Sequence, residues 1–116
     1  MHELSITQSI LEIVNRHAAD AGASRVTQIR LVVGDFTGFV PDSIQFYFDL
    51  LSQGTLAEGA ELVIERRPGQ IRCQACGAVY EPSDGQLWIC PVCHTLGGEV
   101  MAGKELYVDS IEVVKG

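Results

Sequence analysis

The chain has no apolar run approaching the roughly 18 residues that a membrane-spanning helix requires. It opens without a basic segment followed by an apolar core, so no secretory signal is expected, and the cytoplasm is the expected compartment. Basic residues are scarce: 8 Lys and Arg stand against 15 Asp and Glu, a formal charge of −7. Such a surface repels phosphate backbones and anionic lipid, which weighs against nucleic-acid and membrane roles. No Ser/His/Asp grouping, phosphate-cradling glycine motif or open hydrolase-type metal site is evident, so no enzyme is expected. Low-complexity tracts are also missing. With 47% hydrophobic and 20% charged residues in 116, the composition is that of a folded chain, and the length suits one domain or a small domain carrying a sub-domain.

Cysteine is sparse but ordered. All four fall in two pairs, Cys73-x-x-Cys76 and Cys90-x-x-Cys93, with thirteen residues between them. Each CxxC makes a tight turn that aims two sulfurs at one point, and the intervening loop brings the second pair round to complete a tetrahedron. Zn(II) suits four thiolates at about 2.3 Å, and a site with four protein ligands leaves no position open for chemistry. Gly77 and Pro91 fit the bends such turns need. In small modules zinc contributes on the order of 10 kcal/mol to folding, which replaces a missing apolar core.

Other readings of the cysteines are weaker. "CPVCH" matches covalent haem attachment but leaves the first pair without a role. The two knuckles resemble those of a rubredoxin-like electron carrier, yet the loop is short for it and half the chain would be unexplained. A dithiol redox pair does not account for two knuckles. Zinc ribbons also bind nucleic acid or protein, and Trp88 and Tyr80 suit base stacking as well as packing on the ribbon. Arg66, Arg67 and Arg72 are offset, however, by Glu81, Asp84 and Glu99.

The remaining sequence reads as alternating elements. Leu4, Leu11, Val14, Ala18 and Ala21, widened by Ile6, Ile10 and Ile13, predict an amphipathic helix from Leu4 to a stop at Gly22. "RVTQIRLVVG" predicts a strand ending at Gly34, and "AELVIERR" a second, with Leu62 and Ile64 on one face. Between them, Val40, Ile44, Tyr47, Phe48 and Leu51 predict a helix with Pro41 in its first turn and Gly54 at its exit. "KELYVDSIEVVKG" predicts a third strand, with a parity switch near Ser110 that implies a bulge or a bend. The expected fold is α+β: a small three-stranded sheet with two helices, plus an inserted zinc-ribbon module. Residues 1–69, completed by the strand 104–116, form one unit, and 70–103 the ribbon.

The start, Met1-His2-Glu3, carries a second signal. A free Met1 α-amine, the His2 amide nitrogen and the His2 imidazole Nδ1 can close two fused chelate rings. Nitrogen-rich planar ligation is the preference of Ni(II) or Cu(II) rather than Zn(II). Alone this is slight, since a histidine at position 2 is ordinarily a solvated residue and Glu3 equally complements a helix dipole. His17 is expected on the helix surface. His94 follows a thiolate and reads as an exposed neighbour of the zinc, with an exchangeable fifth ligand as the alternative.

In combination, "MHELSITQSI", "GDFTGFVPDSIQFYFDLLSQGT", "AEGAELVIER" and the "CQACG…CPVCH" pair resemble the HypA/HybF family of hydrogenase-maturation nickel metallochaperones over essentially the whole chain. The resemblance implies nickel held through His2, with Met1 and Glu3, and structural zinc at Cys73, Cys76, Cys90 and Cys93. It implies delivery of Ni(II) for maturation of [NiFe] hydrogenase, and in some organisms urease. The implied partners are the HypB GTPase and the hydrogenase large-subunit precursor, with the chain itself a monomer or homodimer. A further nickel ligand stays open among Asp35, Asp42 and His94.

Overall fold

The computed structural model describes residues 2–82 and 88–115. In chain order the elements are α1 (His2–Asp20), β1 (Ala23–Gly34), a 3-10 turn (Asp35–Thr37), α2 (Pro41–Leu51), β2 (Glu61–Arg67), β3 (Gln70–Arg72), β4 (Val79–Tyr80), β5 (Glu99–Ala102) and β6 (Leu106–Lys115). They build two sheets, ordered β2-β1-β6 and β4-β3-β5.

In the larger sheet β1 runs parallel to β2 and antiparallel to β6. A parallel neighbour demands a crossover of a dozen or more residues, and the segment carrying α2 supplies it. One face of the sheet is apolar: Val26, Ile29, Leu31 and Val33 of β1 lie between Leu62 and Ile64 of β2 and the alternate residues of β6. Strict alternation would put Val26 and Ile29 on opposite faces. Thr27 is an extra residue opposite the Val113–Glu112 step, and this bulge returns Val26 to the covered side. On β6 the extra residue is Asp109, which accounts for the parity switch beside Ser110.

Both helices cover that apolar face. From α1, Ile10, Leu11, Val14 and Ala18 are buried. Ile13 does not join them and keeps 42% of its surface exposed, because at 3.6 residues per turn it sits roughly a third of a turn from the stripe's centre. From α2, Ile44 and Phe48 go into the core, each worth about 1.5–3 kcal/mol of apolar burial. Helix α1 begins at His2, two residues earlier than its apolar pattern indicates.

The chain leaves β2, runs through the ribbon from β3 to β5, and returns to β6. Departure and return are clamped at one place. Gly34 donates its backbone N–H to Glu105 O and Phe36 to Gly103 O, both at 2.7 Å. The Phe36 ring covers Gly69 on the outgoing strand link and Gly103 on the returning one, and a β-carbon at either would strike that ring. Phe36 also meets Trp88 of the ribbon. No signal in the sequence marks Phe36 for this role.

Candidate metal centres

The two CxxC segments fold alike, one six-residue turn built twice. In the first, Cys73 N–H donates to Ala78 O, Gly77 N–H to Cys73 O, and Ala75 N–H to Cys73 Sγ. In the second, Cys90 N–H donates to Thr95 O, His94 N–H to Cys90 O, and Val92 N–H to Cys90 Sγ. Gly77 and His94 are therefore equivalent, and both sit in the left-handed region, at φ 77° and 64°. Glycine enters that region freely, whereas a side chain there costs on the order of 1 kcal/mol. The local hydrogen bonds hold His94 in place regardless.

The four sulfurs converge, all within 4.8 Å of one another. Cys73 faces Cys93 and Cys76 faces Cys90, each pair at 3.5 Å. A tetrahedron of thiolates at zinc-ligand distance has edges of about 3.8 Å, so the cradle fits that ion. Cys73 and Cys90 are buried while Cys76 and Cys93 are exposed, which makes the cage shallow on one side. The sulfurs are electrostatically unequal. Thr95, first through its hydroxyl and then through its backbone, draws the Cys93 thiol down to about 6. At Cys76 the backbone of Ala78 favours the thiolate, but the surrounding sulfurs, Cys90 foremost, and burial push it up to about 12.

At the other end, Glu3 lies in the first turn of α1. Its carboxylate accepts the Val40 backbone N–H at 3.4 Å, and its own backbone and that of Val40 hold the carboxyl below the usual value. Val40 is the N-cap of α2, and Asp42 follows in the first turn. The starts of the two helices thus adjoin, with Glu3 in the first turn of one and Asp42 in the first turn of the other. Met1 lies outside the described residues, and His2 opens α1. Of the other candidates, Asp35 pairs with Arg66 at 3.1 Å, and His94 belongs to the second knuckle. His17 is exposed on α1.

The arginines that a nucleic-acid surface would need are already engaged. Besides Arg66, Arg67 meets Glu65 at 3.0 Å and Glu105 at 3.9 Å, and Arg72 meets Glu99 at 3.0 Å. Trp88 is turned to Phe36 rather than presented for stacking, with centroids 5.2 Å apart. Asp84 lies outside the described residues.

Comparison with known proteins agrees with this arrangement. Residues 1–113 match the family described as hydrogenase/urease nickel incorporation, metallochaperone, hypA. The chain is 43% identical to the hydrogenase maturation factor HypA of Dehalococcoides mccartyi, covering 97% of this chain and 94% of that one. With the factor of the same name from Geobacter metallireducens it shares 46%, over 97% and 99%. The fold is that of the nickel metallochaperone HypA from Helicobacter pylori in solution, with a TM-score of 0.67 at 20% identity, over 98% of each chain. A second solution structure of a HypA protein gives 0.71 at 20% identity, over 100% of this chain and 98% of the other. A sulfur cradle, a helix that starts with histidine and glutamate, and relatives matched from end to end lead to one assignment: the chain belongs to the HypA family of nickel metallochaperones, the maturation factors of hydrogenase.

Proposed function

We propose that this protein carries Ni(II) on its amino terminus and keeps Zn(II) in the cage of Cys73, Cys76, Cys90 and Cys93, as a carrier with no catalytic step of its own. The Met1 α-amine, the His2 amide nitrogen and the His2 imidazole supply three nitrogens, and a carboxylate completes the set. The observation that carries this reading is the Glu3–Val40 hydrogen bond. It joins the start of α1 to the start of α2, and so favours Glu3 and Asp42 over the remaining candidates. Asp35 already neutralises Arg66, and His94 serves the other knuckle.

The two centres differ as their tasks require. Four thiolates enclose zinc and stabilise the ribbon, whereas ligands on a chain end can be exchanged one at a time. Residues 1–69 with 104–116 act as the nickel unit and 70–103 as the zinc unit. The receiving partners are the HypB GTPase and the large-subunit precursor of a [NiFe] hydrogenase, or the urease pathway where present, in the cytoplasm. Titration of Ni(II), followed by the visible absorption of planar nickel and by native mass spectrometry, tests the assignment. Binding is expected to disappear when one residue is added before Met1 or in His2→Ala, to weaken in Asp42→Asn, and to persist in Asp35→Asn. An extended chain that takes up nickel like the parent would overturn the proposal.

A further inference from the structure

Helix α2 has a second face that the core does not use. Phe46 and Leu50 stand 64% and 56% exposed, and one helical turn apart they form an adjoining apolar pair of the kind from which contact surfaces are built. With Asp42 they follow four-residue steps, so the three form one stripe along the helix. The stripe begins at the helix start that Glu3 touches and leads outward from it. Its aromatic anchor is held in position, since the Tyr47 ring meets the Phe46 ring nearly edge-on at 5.3 Å and 75°.

We infer that the stripe Asp42–Phe46–Leu50 is the docking surface for the protein that receives the nickel, and that this receiver presents an apolar patch rimmed by lysine or arginine. The inference rests on the nickel-carrier reading. Transfer by ligand exchange requires the receiver's donor atoms to reach the ion before the last ligand here lets go, so the contact surface must adjoin the ion. The stripe does so. The charge of the receiver follows from the rim. Asp42 and Asp49 are the charged residues of α2, which carries no base, and Gln45 fixes Asp49 through a 2.8 Å hydrogen bond. A second copy of the chain packed helix to helix would oppose these carboxylates to each other, and an anionic lipid surface would meet the same repulsion.

The test uses the full chain loaded with zinc. Binding of the GTPase and of the hydrogenase large-subunit precursor from the same genome is measured by titration calorimetry, for the parent and for Phe46→Ser/Leu50→Ser. Val114→Ser, altered on the exposed β6 surface, is the control. Both positions of the double variant are exposed, so folding is expected to survive, and circular dichroism checks it. The double variant is expected to lose about ten-fold or more in affinity for at least one receiver, the scale of removing a central anchor, while the control keeps it. Asp49→Lys is expected to weaken the same binding, and added salt to lower it for the parent. Unchanged affinity in the double variant, or no binding of either receiver to the parent, overturns the proposal. So does a stripe needed only for self-association in sedimentation or for flotation with vesicles. Nickel titration of the same samples is read separately: a parent that fails to bind nickel refutes the carrier reading, whereas intact nickel binding with unaltered docking refutes the surface alone.

Discussion

The ring of Phe36 packs on the indole of Trp88 with centroids 5.2 Å apart and planes tilted by 41°. One member of the pair belongs to the turn after β1 and the other to the ribbon, so this contact joins the two sheets' surroundings. Because Trp88 is the one tryptophan of the chain, its emission reports on the contact directly. Phe36→Ala is expected to shift that emission to the red and to lower unfolding stability by about 1–2 kcal/mol, the worth of an aromatic pair plus part of a buried ring. Fluorescence-detected denaturation measures both together. An unchanged spectrum would mean that the pair does not persist in solution.

Gly103 sits beneath the same ring at φ 114°, where a β-carbon would come within 2.7 Å of Phe36 Cδ2 and 2.8 Å of Gly69 Cα. Gly59 also has positive φ, at 78°, but open space around it. Gly59→Ala should therefore cost only backbone strain, on the order of 1 kcal/mol. Gly103→Ala adds a steric clash and should cost about 1–3 kcal/mol more. Comparing thermal unfolding of the two variants separates the terms.

Zinc uptake should release protons in a pH-dependent number. With Cys93 held near 6 by Thr95, this ligand is already a thiolate at neutral pH, whereas Cys76, pushed up to about 12, must give up its proton on binding. As pH falls through about 6, Cys93 becomes protonated in the metal-free protein, so the count per zinc rises and the apparent affinity declines more steeply. Calorimetry in buffers of differing ionisation enthalpy gives the count. Thr95→Val should move the inflection toward higher pH.

Glu105 provides a pH-linked clasp at the same junction. Its carboxylate accepts Gly103 N–H at 2.7 Å. Its own backbone, that of Gly103 and then the Arg67 charge hold it below the ordinary 4.5. A depressed carboxyl value stabilises the fold above the unfolded value and loses that contribution as pH falls through the folded one. Glu105→Gln should accordingly be less stable than the parent at pH 7, and the gap should close as pH falls below the ordinary carboxyl range. Urea midpoints across that range check the sign. A gap that widened on acidification would contradict it.

Much of this could be read from the sequence because its signals are local. The cysteine spacing sits within 21 consecutive residues, and the helices and long strands follow short periodic patterns. The bulge at Asp109 left its mark as a parity switch. The clamp at Phe36 left none, since Gly34, Gly69, Gly103 and Trp88 are scattered along the chain and meet only once the sheet has formed. The proposal of Asp42 over Asp35 as a nickel ligand likewise rests on the contact between residues 3 and 40 and the ion pair of Asp35, neither of which is local in sequence. On α2, Phe46 and Leu50 fell outside the predicted stripe of Val40, Ile44, Tyr47, Phe48 and Leu51, and only the fold shows that they stand together on the exposed face.

The irregular pairing of β1 with β6 has a consequence for solubility. Extra residues at Ser24 and Thr27 on β1 and at Asp109 on β6 break the ladder three times, and the hydroxyls of Ser24 and Thr27 bond Val114 O and Glu112 O across it. The free rim of β6 is left kinked, with its amides out of step for any straight incoming strand. On the opposite rim, β2 ends in the charges of Glu65, Arg66 and Arg67. Both features work against edge-to-edge addition of further strands to this small sheet.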